Sequence, residues 1–211
     1  MSEAPAEGRG TVAAFDVDGT ITTRDCVVPF MRRITGARRI VPRLGVRAHQ
    51  TLPTLLRRDR DRLKALASAA AFRGHRESEV RRRGAEFAQF VHDHWLRSDT
   101  MERFAEHRTA GHTIVLVSAS FEVYLQPLAE LLGAHGVLAT KLAASDDVLT
   151  GALDGPNCRG PEKVRRLHAW LDQHHGGRSG LRVEAYGDSP GDREMLADAD
   201  VAHWVNRGRA A

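Results

Sequence analysis

Thr11-Val12-Ala13-Ala14-Phe15 runs directly into Asp16-Val17-Asp18-Gly19-Thr20. A compact apolar run that stops at acids and a glycine is how a strand buried on both faces, feeding a polar loop, is written in sequence. Both aspartates therefore sit at a strand's carboxyl end. Working outward, the pattern returns twice. HTIVLV at 112–117 follows a helix predicted over 99–109 and a stop at Gly111, then opens into Ser118-Ala119-Ser120 before another apolar-periodic helix. A strand over 181–186 ends at Gly187-Asp188-Ser189-Pro190-Gly191-Asp192, with a short helix through Leu196 and a last strand over 201–205. Between these lie a short strand at 136–139, a hairpin turning at Asp146-Asp147 and a helix from Pro161 to about Gln173. Alternation of this kind predicts an α/β fold with a Rossmann-like, doubly wound parallel sheet, whose ligands bind beyond the carboxyl ends of the strands. The three polar tips would meet there.

The stretch 26–97 breaks the alternation. TLPTLLRRDRDRLKALASAAAF and ESEVRRRGAEFAQFVHDHWL carry helical periodicity and no convincing strand. The expected organisation is a disordered leader at 1–10, a core domain from 11–25 and 98–211, and a helical cap at 26–97. The loops at 24–28 and 96–100 are the expected hinges between them.

Length and composition bound the function. The 211 residues are 42% hydrophobic and 27% charged, enough for one substantial core and a smaller appended module. Cys26 and Cys158 are too few for a disulfide framework and their spacing fits no zinc site, so both read as reduced, unreactive thiols. The leader carries acids and no apolar run, unlike a signal peptide. No apolar segment approaches the roughly 20 residues that cross a bilayer. A soluble, cytoplasmic protein is expected.

Charge is unevenly spread. In 32–83, fifteen arginines and Lys64 face only Asp59, Asp61, Glu77 and Glu79, which makes that segment +12 within a chain of net charge +4. A basic module beside an acidic one suits steering of anionic substrates, or peripheral contact with anionic membrane surfaces. Nucleic acid is disfavoured, because aromatic interleaving is missing, with only Phe30 and Phe72 nearby.

Asp16, Asp18, Asp188 and Asp192 would crowd four carboxylates at one sheet edge, an arrangement that a divalent cation relieves. Hard oxygen ligands in a small cluster suit Mg2+, which keeps waters and leaves room for a phosphate oxygen. Ser118, Lys163 and loop amides around Gly19 supply donors and positive charge for a phosphate. The set reads as a phosphoryl-transfer site acting on a phosphate ester.

Asp16-Val17-Asp18-Gly19-Thr20, Ser118, Lys163 and Gly187-Asp188 through Asp192 resemble, in order and spacing, the four motifs of the haloacid dehalogenase superfamily of phosphohydrolases. The insertion after the first motif is similar to the helical C1-type cap of the phosphoserine-phosphatase-like subfamily IB. The resemblance implies that Asp16 is the nucleophile that forms an aspartyl-phosphate, and that Asp18 is the general acid and base. It implies Mg2+ held by Asp16, the Asp18 backbone carbonyl and Asp188, with Asp192 as ligand or orienter. Lys163 would neutralise nucleophile and phosphate, while Gly19, Ser118 and Ala119 hold phosphate oxygens. Asp25 matches an acid near the substrate's amino group in phosphoserine phosphatases. Gly191 departs from that pattern, where an Asn usually precedes the second acid of the fourth motif. The substrate expected is a small phosphorylated metabolite. A lipid phosphate or larger phosphorylated intermediate, recruited by the basic cap, is the alternative within the class, and a non-catalytic module for anionic surfaces the alternative outside it.

Overall fold

Alternation of buried side chains along two neighbouring strands explains the layering. In β1 (Gly10–Phe15), Val12 and Ala14 face one side of the sheet and Ala13 and Phe15 the other. The same holds in β2 (Thr113–Phe121), where Val115 and Val117 oppose Ile114 and Leu116. Strands that are apolar on both faces need a helix layer on each. The computed structural model, which describes residues 10–35 and 60–206, supplies both layers. The leader at 1–9 and the cap positions 36–59 lie outside the described residues, as do 207–211.

The sheet has six strands in the order β4-β3-β2-β1-β5-β6, completed by β3 (Gly136–Ser145), β4 (Val148–Asp154), β5 (Leu181–Gly187) and β6 (Val201–Trp204). All neighbours are parallel except the β3–β4 hairpin. That hairpin turns where the sequence places it, with Asp146 and Asp147 both at positive φ, 52° and 61°, the twist a two-residue loop between strands requires. Helices α4 (Ser98–Thr109) and α5 (Glu122–Leu132) bury Phe104, Tyr124 and Leu125 against the Phe15 face. Helices α6 (Pro161–His175) and α7 (Arg193–Asp198) bury Leu167, Leu171, Met195 and Leu196 against the Val12 face. The sheet is therefore wound on both sides, as expected.

The insertion contributes α1 (Val27–Thr35), α2 (Arg60–Phe72) and α3 (Glu77–His94) among the described residues. Among the described residues, its buried side chains join the core on the Phe15 face of the sheet. Phe30, Phe72 and Phe87 join Phe121 and Tyr124 in one aromatic cluster, with Phe30–Tyr124 centroids 4.7 Å apart and Phe72–Phe121 5.1 Å apart. Gly84 lets α3 approach α5 so closely that a Cβ there would lie 2.3 Å from the Val123 carbonyl oxygen. The α2–α3 turn also pairs with the β3–β4 hairpin: Gly74 N donates to Leu149 O and Leu149 N to His75 O, each at 2.9 Å. Asp147 accepts from Ser78 N at 2.8 Å, at the start of α3.

The two chain crossings between insertion and core are themselves paired. Thr23 N donates to Trp95 O at 2.8 Å and Arg97 N to Ile21 O at 2.9 Å. Arg97, 2% exposed, lies beneath this junction and donates to Asp99 and to the carbonyl of Asn206. The arginines of α3 are largely answered within their own helix, Arg81 by Glu77, Arg82 by Glu79 and Glu86, and Arg83 by Glu79. No helix among the described residues is long and apolar enough to cross a membrane.

Candidate active site

The central strands β2, β1 and β5 are adjacent, so their carboxyl ends deliver three short polar segments to one place. Asp16 follows β1, and its amide donates to Tyr186 O of β5 at 2.9 Å, which keeps the backbone in register with the sheet for one residue past the strand. Lys163 sits in the first turn of α6, after Pro161, and its side chain is 1% exposed. Its ammonium lies 2.6 Å from Asp16 Oδ1 and 2.5 Å from Asp192 Oδ1. The other Asp16 oxygen accepts from Thr20 Oγ1 at 3.2 Å.

Asp192 closes the 3-10 turn Pro190–Asp192, and its Oδ2 accepts from Ser189 N at 3.0 Å and Ser189 Oγ at 2.7 Å. It is a turn-capping acid and a site residue at once. Gly187 makes room for it, since a Cβ there would lie 2.5 Å from Asp192 Cβ.

Asp16, Asp188 and Asp192 bring carboxylate oxygens within 4.8 Å of one another. Lys163 supplies one positive charge against these three acids. Burial lifts the Asp16 carboxyl to about 7 against the pull of Lys163, with Asp192 adding to the rise. Burial works against charge on Asp192 as well, yet Lys163 and the Ser189 donors outweigh it and hold that carboxyl below its ordinary value. Burial likewise opposes the Lys163 ammonium, but Asp16 and Asp192 outweigh it and keep it protonated well above its usual range. A converging set of hard oxygens with surplus negative charge fits a small divalent cation such as Mg2+.

Asp18 stands at the mouth of the site. Its Oδ1 accepts from Cys26 N at 2.9 Å and its Oδ2 from the hydroxyl of Ser120. Burial raises its carboxyl to about 6, the charge of Asp25 adds to this, and the Ser120 and Cys26 donors oppose it. Ser118 is buried at the tip of β2 and its Oγ accepts from Ser120 N at 3.1 Å. It does not cap α5, whose first turn has no side-chain cap. Ala119 lies between the two serines, with its carbonyl accepting from Thr140 Oγ1 at 2.9 Å. The Gly19 carbonyl faces Arg97 Nη1 at 3.5 Å. Asp25 is exposed and accepts from Val28 N at 3.2 Å, at the start of α1, while its charge still acts on Asp18.

Four contributors escape the sequence reading. Thr20 on Asp16 and Ser120 on Asp18 were within reach of it, the first inside the opening motif and the second in the polar segment Ser118-Ala119-Ser120. Lys64 and Asn157 were not. Lys64, from α2, reaches Asn157 Oδ1 at 3.0 Å and Thr140 Oγ1 at 3.3 Å, and Asn157 Nδ2 donates to Asp61 at 2.6 Å. Burial lowers the Lys64 ammonium to about 8, against the attraction of Asp18 first among nearby acids. Cys26 and Cys158 are buried and burial pushes both thiols above their ordinary value, which makes them inert.

A carboxylate past the first strand, a lysine opening a helix and a pair of acids past a neighbouring strand together define an α/β enzyme built for chemistry on anions. The chain belongs to the haloacid dehalogenase-like hydrolase family, which it matches over residues 13–197. Protein CicA of Caulobacter vibrioides is 34% identical over 206 residues, covering 95% of this chain and 88% of that protein. Among solved structures, a Bordetella pertussis protein of unknown function superposes with a TM-score of 0.72 at 22% identity, over 90% of this chain and 87% of that one. A phosphoserine phosphatase solved as a phospho-aspartyl intermediate analogue gives a TM-score of 0.62 at 17% identity, over 91% and 84%. At these identities the two structures bear on the fold.

Proposed function

We propose that the protein is a Mg2+-dependent phosphomonoester phosphatase that works through a phosphoryl group carried on Asp16. The observation that supports it most is the Lys163 ammonium shared between Asp16 and Asp192, with Asp188 in the same carboxylate cluster and Asp18 two residues from Asp16. A solved phosphoserine phosphatase of similar fold, with a phospho-aspartyl analogue, is consistent with the same chemistry.

Asp16, Asp188, the Asp18 carbonyl and Asp192 would hold Mg2+, which supplies charge to offset the repulsion between a carboxylate nucleophile and a phosphate. An Asp16 carboxylate oxygen attacks phosphorus as the ester P–O bond breaks, and the departing alkoxide takes the proton of the Asp18 carboxyl. Asp18, now a carboxylate, takes a proton from the water that attacks the aspartyl-phosphate, releasing inorganic phosphate and restoring Asp16. Lys163 favours the ionised form of Asp16 against the burial that opposes it. Ser118 and the amides of Gly19 and Ala119 hold the phosphate oxygens, where fixed donors in a closed site count for more than in water. Asp25, whose charge acts on Asp18, contacts the leaving group. The positive charge of 32–83 favours anionic small molecules.

The test is hydrolysis of a phosphate-ester panel with millimolar Mg2+, including phosphoserine, glycerophosphates, histidinol phosphate and lysophosphatidate. Turnover of at least one ester, abolished by EDTA and by Asp16→Asn, is expected. An Asp16→Asn protein as active as its parent would end the reading, and so would a parent inert toward every ester.

A further inference from the structure

Ser118 and Ser120 lie two residues apart at the end of β2, within the bulge that precedes Phe121, and Ser120 N donates to Ser118 Oγ at 3.1 Å. Only the first is needed by a phosphate. The hydroxyl of Ser120 is fully buried and carries a single proton, which it donates to Asp18 Oδ2 across 102 positions of sequence. The other Asp18 oxygen is taken by the backbone N–H of Cys26, at the threshold of α1. Both oxygens are thus fixed, one by a rigid strand and one by the chain leaving for the insertion. Behind Ser120 lies Tyr124, in the first turn of α5, whose buried hydroxyl interacts with the Ser120 side chain. The rings of Phe121, Phe30 and Phe87 pack around that tyrosine.

We propose that Ser120 is a positioning residue for Asp18, holding its carboxyl group at the mouth of the site in a single orientation for proton transfer to and from the substrate. The inference rests on the phosphatase reading. Its chemistry follows from the direction of charge. When Asp18 gives its proton to the departing alkoxide it becomes a carboxylate, and the Ser120 hydrogen bond to that oxygen strengthens as the charge appears. A donor that gains strength along the reaction speeds the step it serves. Alanine at this position leaves Oδ2 without its donor and Asp18 with the Cys26 bond alone.

The discriminating variable is the leaving group, because general-acid help matters for an alkoxide and little for 4-nitrophenolate, which is stable as an anion. The relevant constant is kcat/KM, which covers the steps through transfer of phosphorus to Asp16. Ser120→Ala is expected to lower kcat/KM for glycerol 2-phosphate by about tenfold or more, and for 4-nitrophenyl phosphate by less than about threefold. Ser120→Thr, which keeps a hydroxyl, should recover most of the loss on the alkyl ester. Equal losses on both esters, or none on either, would overturn the proposal. A crystal structure of the Ser120→Ala protein gives a readout free of turnover: Asp18 should leave its present orientation or divide between two. Asp18 unmoved in that structure sinks the positioning role even if no ester is hydrolysed, whereas a parent protein inert toward every ester of the panel sinks only the phosphatase reading.

Discussion

Asp16 carries two opposed demands. A carboxylate nucleophile must be ionised to attack, yet burial and the neighbouring Asp192 push its carboxyl to about 7 against the pull of Lys163. Replacing it with asparagine removes the nucleophile and relieves part of the crowding. Asp16→Asn should therefore lower kcat/KM by at least about a thousandfold while raising the melting temperature of the metal-free protein at pH 8. For a chain of this size each kcal/mol of relief shows as about 2–4 °C. A calorimetric melt beside the rate measurement checks both, and a variant that loses activity and stability together would mean that Asp16 holds the site together. The residues of this centre that the sequence made legible are those at strand ends and helix starts: Asp16, Asp18, Ser118, Lys163 and Asp188. Polarity at the tip of an apolar strand survives any detail of packing. Lys64 and Asn157 were illegible because their meeting depends on where α2 lands against β4 and the loop that follows it, a distance no local pattern encodes.

Element by element, the parallel strands and the helices that cover them follow from period-two burial and from stop signals such as Gly111. The edges moved where tertiary contact extended them. β2 continues to Phe121 because Thr140 of β3 pairs with it beyond a bulge, and β3 runs to Ser145 because β4 folds back upon it. The seating of α3 was the less legible feature. Its sequence carries helical periodicity, which does not mark Gly84 as the point at which α3 meets the backbone of α5. In an exposed helix interior, exchanging glycine for alanine stabilises by up to about 1 kcal/mol. Here the sign reverses, since the added methyl meets a backbone carbonyl at 2.3 Å and the helices must part. Gly84→Ala should destabilise by about 1–3 kcal/mol, measured by urea titration of the parent and the variant. A neutral or stabilising result would show that α3 moves away from α5 at little cost.

Over the whole molecule, the acidic centre and its missing charge link stability to pH and to metal. A carboxyl whose pKa is higher in the folded chain binds its proton more tightly there, so its contribution is complete below about pH 4 and fades as pH rises through the folded value. For Asp18 that value is about 6 and for Asp16 about 7. The metal-free protein should lose on the order of a few kcal/mol between pH 5 and pH 8 from these two groups. Asp192, held below its ordinary value, works in the opposite sense, but its window lies on the acid side of pH 4. His107 is held below its ordinary value by burial and so favours the fold as pH rises, offsetting part of the loss as a single group against two. A cation bound by the same carboxylates removes the reason for the fade, because it favours their ionised form, and at a hundred times its dissociation constant it adds about 2.7 kcal/mol. Melting curves in EDTA should fall from pH 5 to pH 8, and millimolar Mg2+ should restore most of the loss at pH 8 while changing little at pH 5. A melting temperature in EDTA that stays level across this range, or one that Mg2+ leaves unmoved at pH 8, would mean that Lys163 alone balances the centre and that the carboxylates do not gather there to hold a metal.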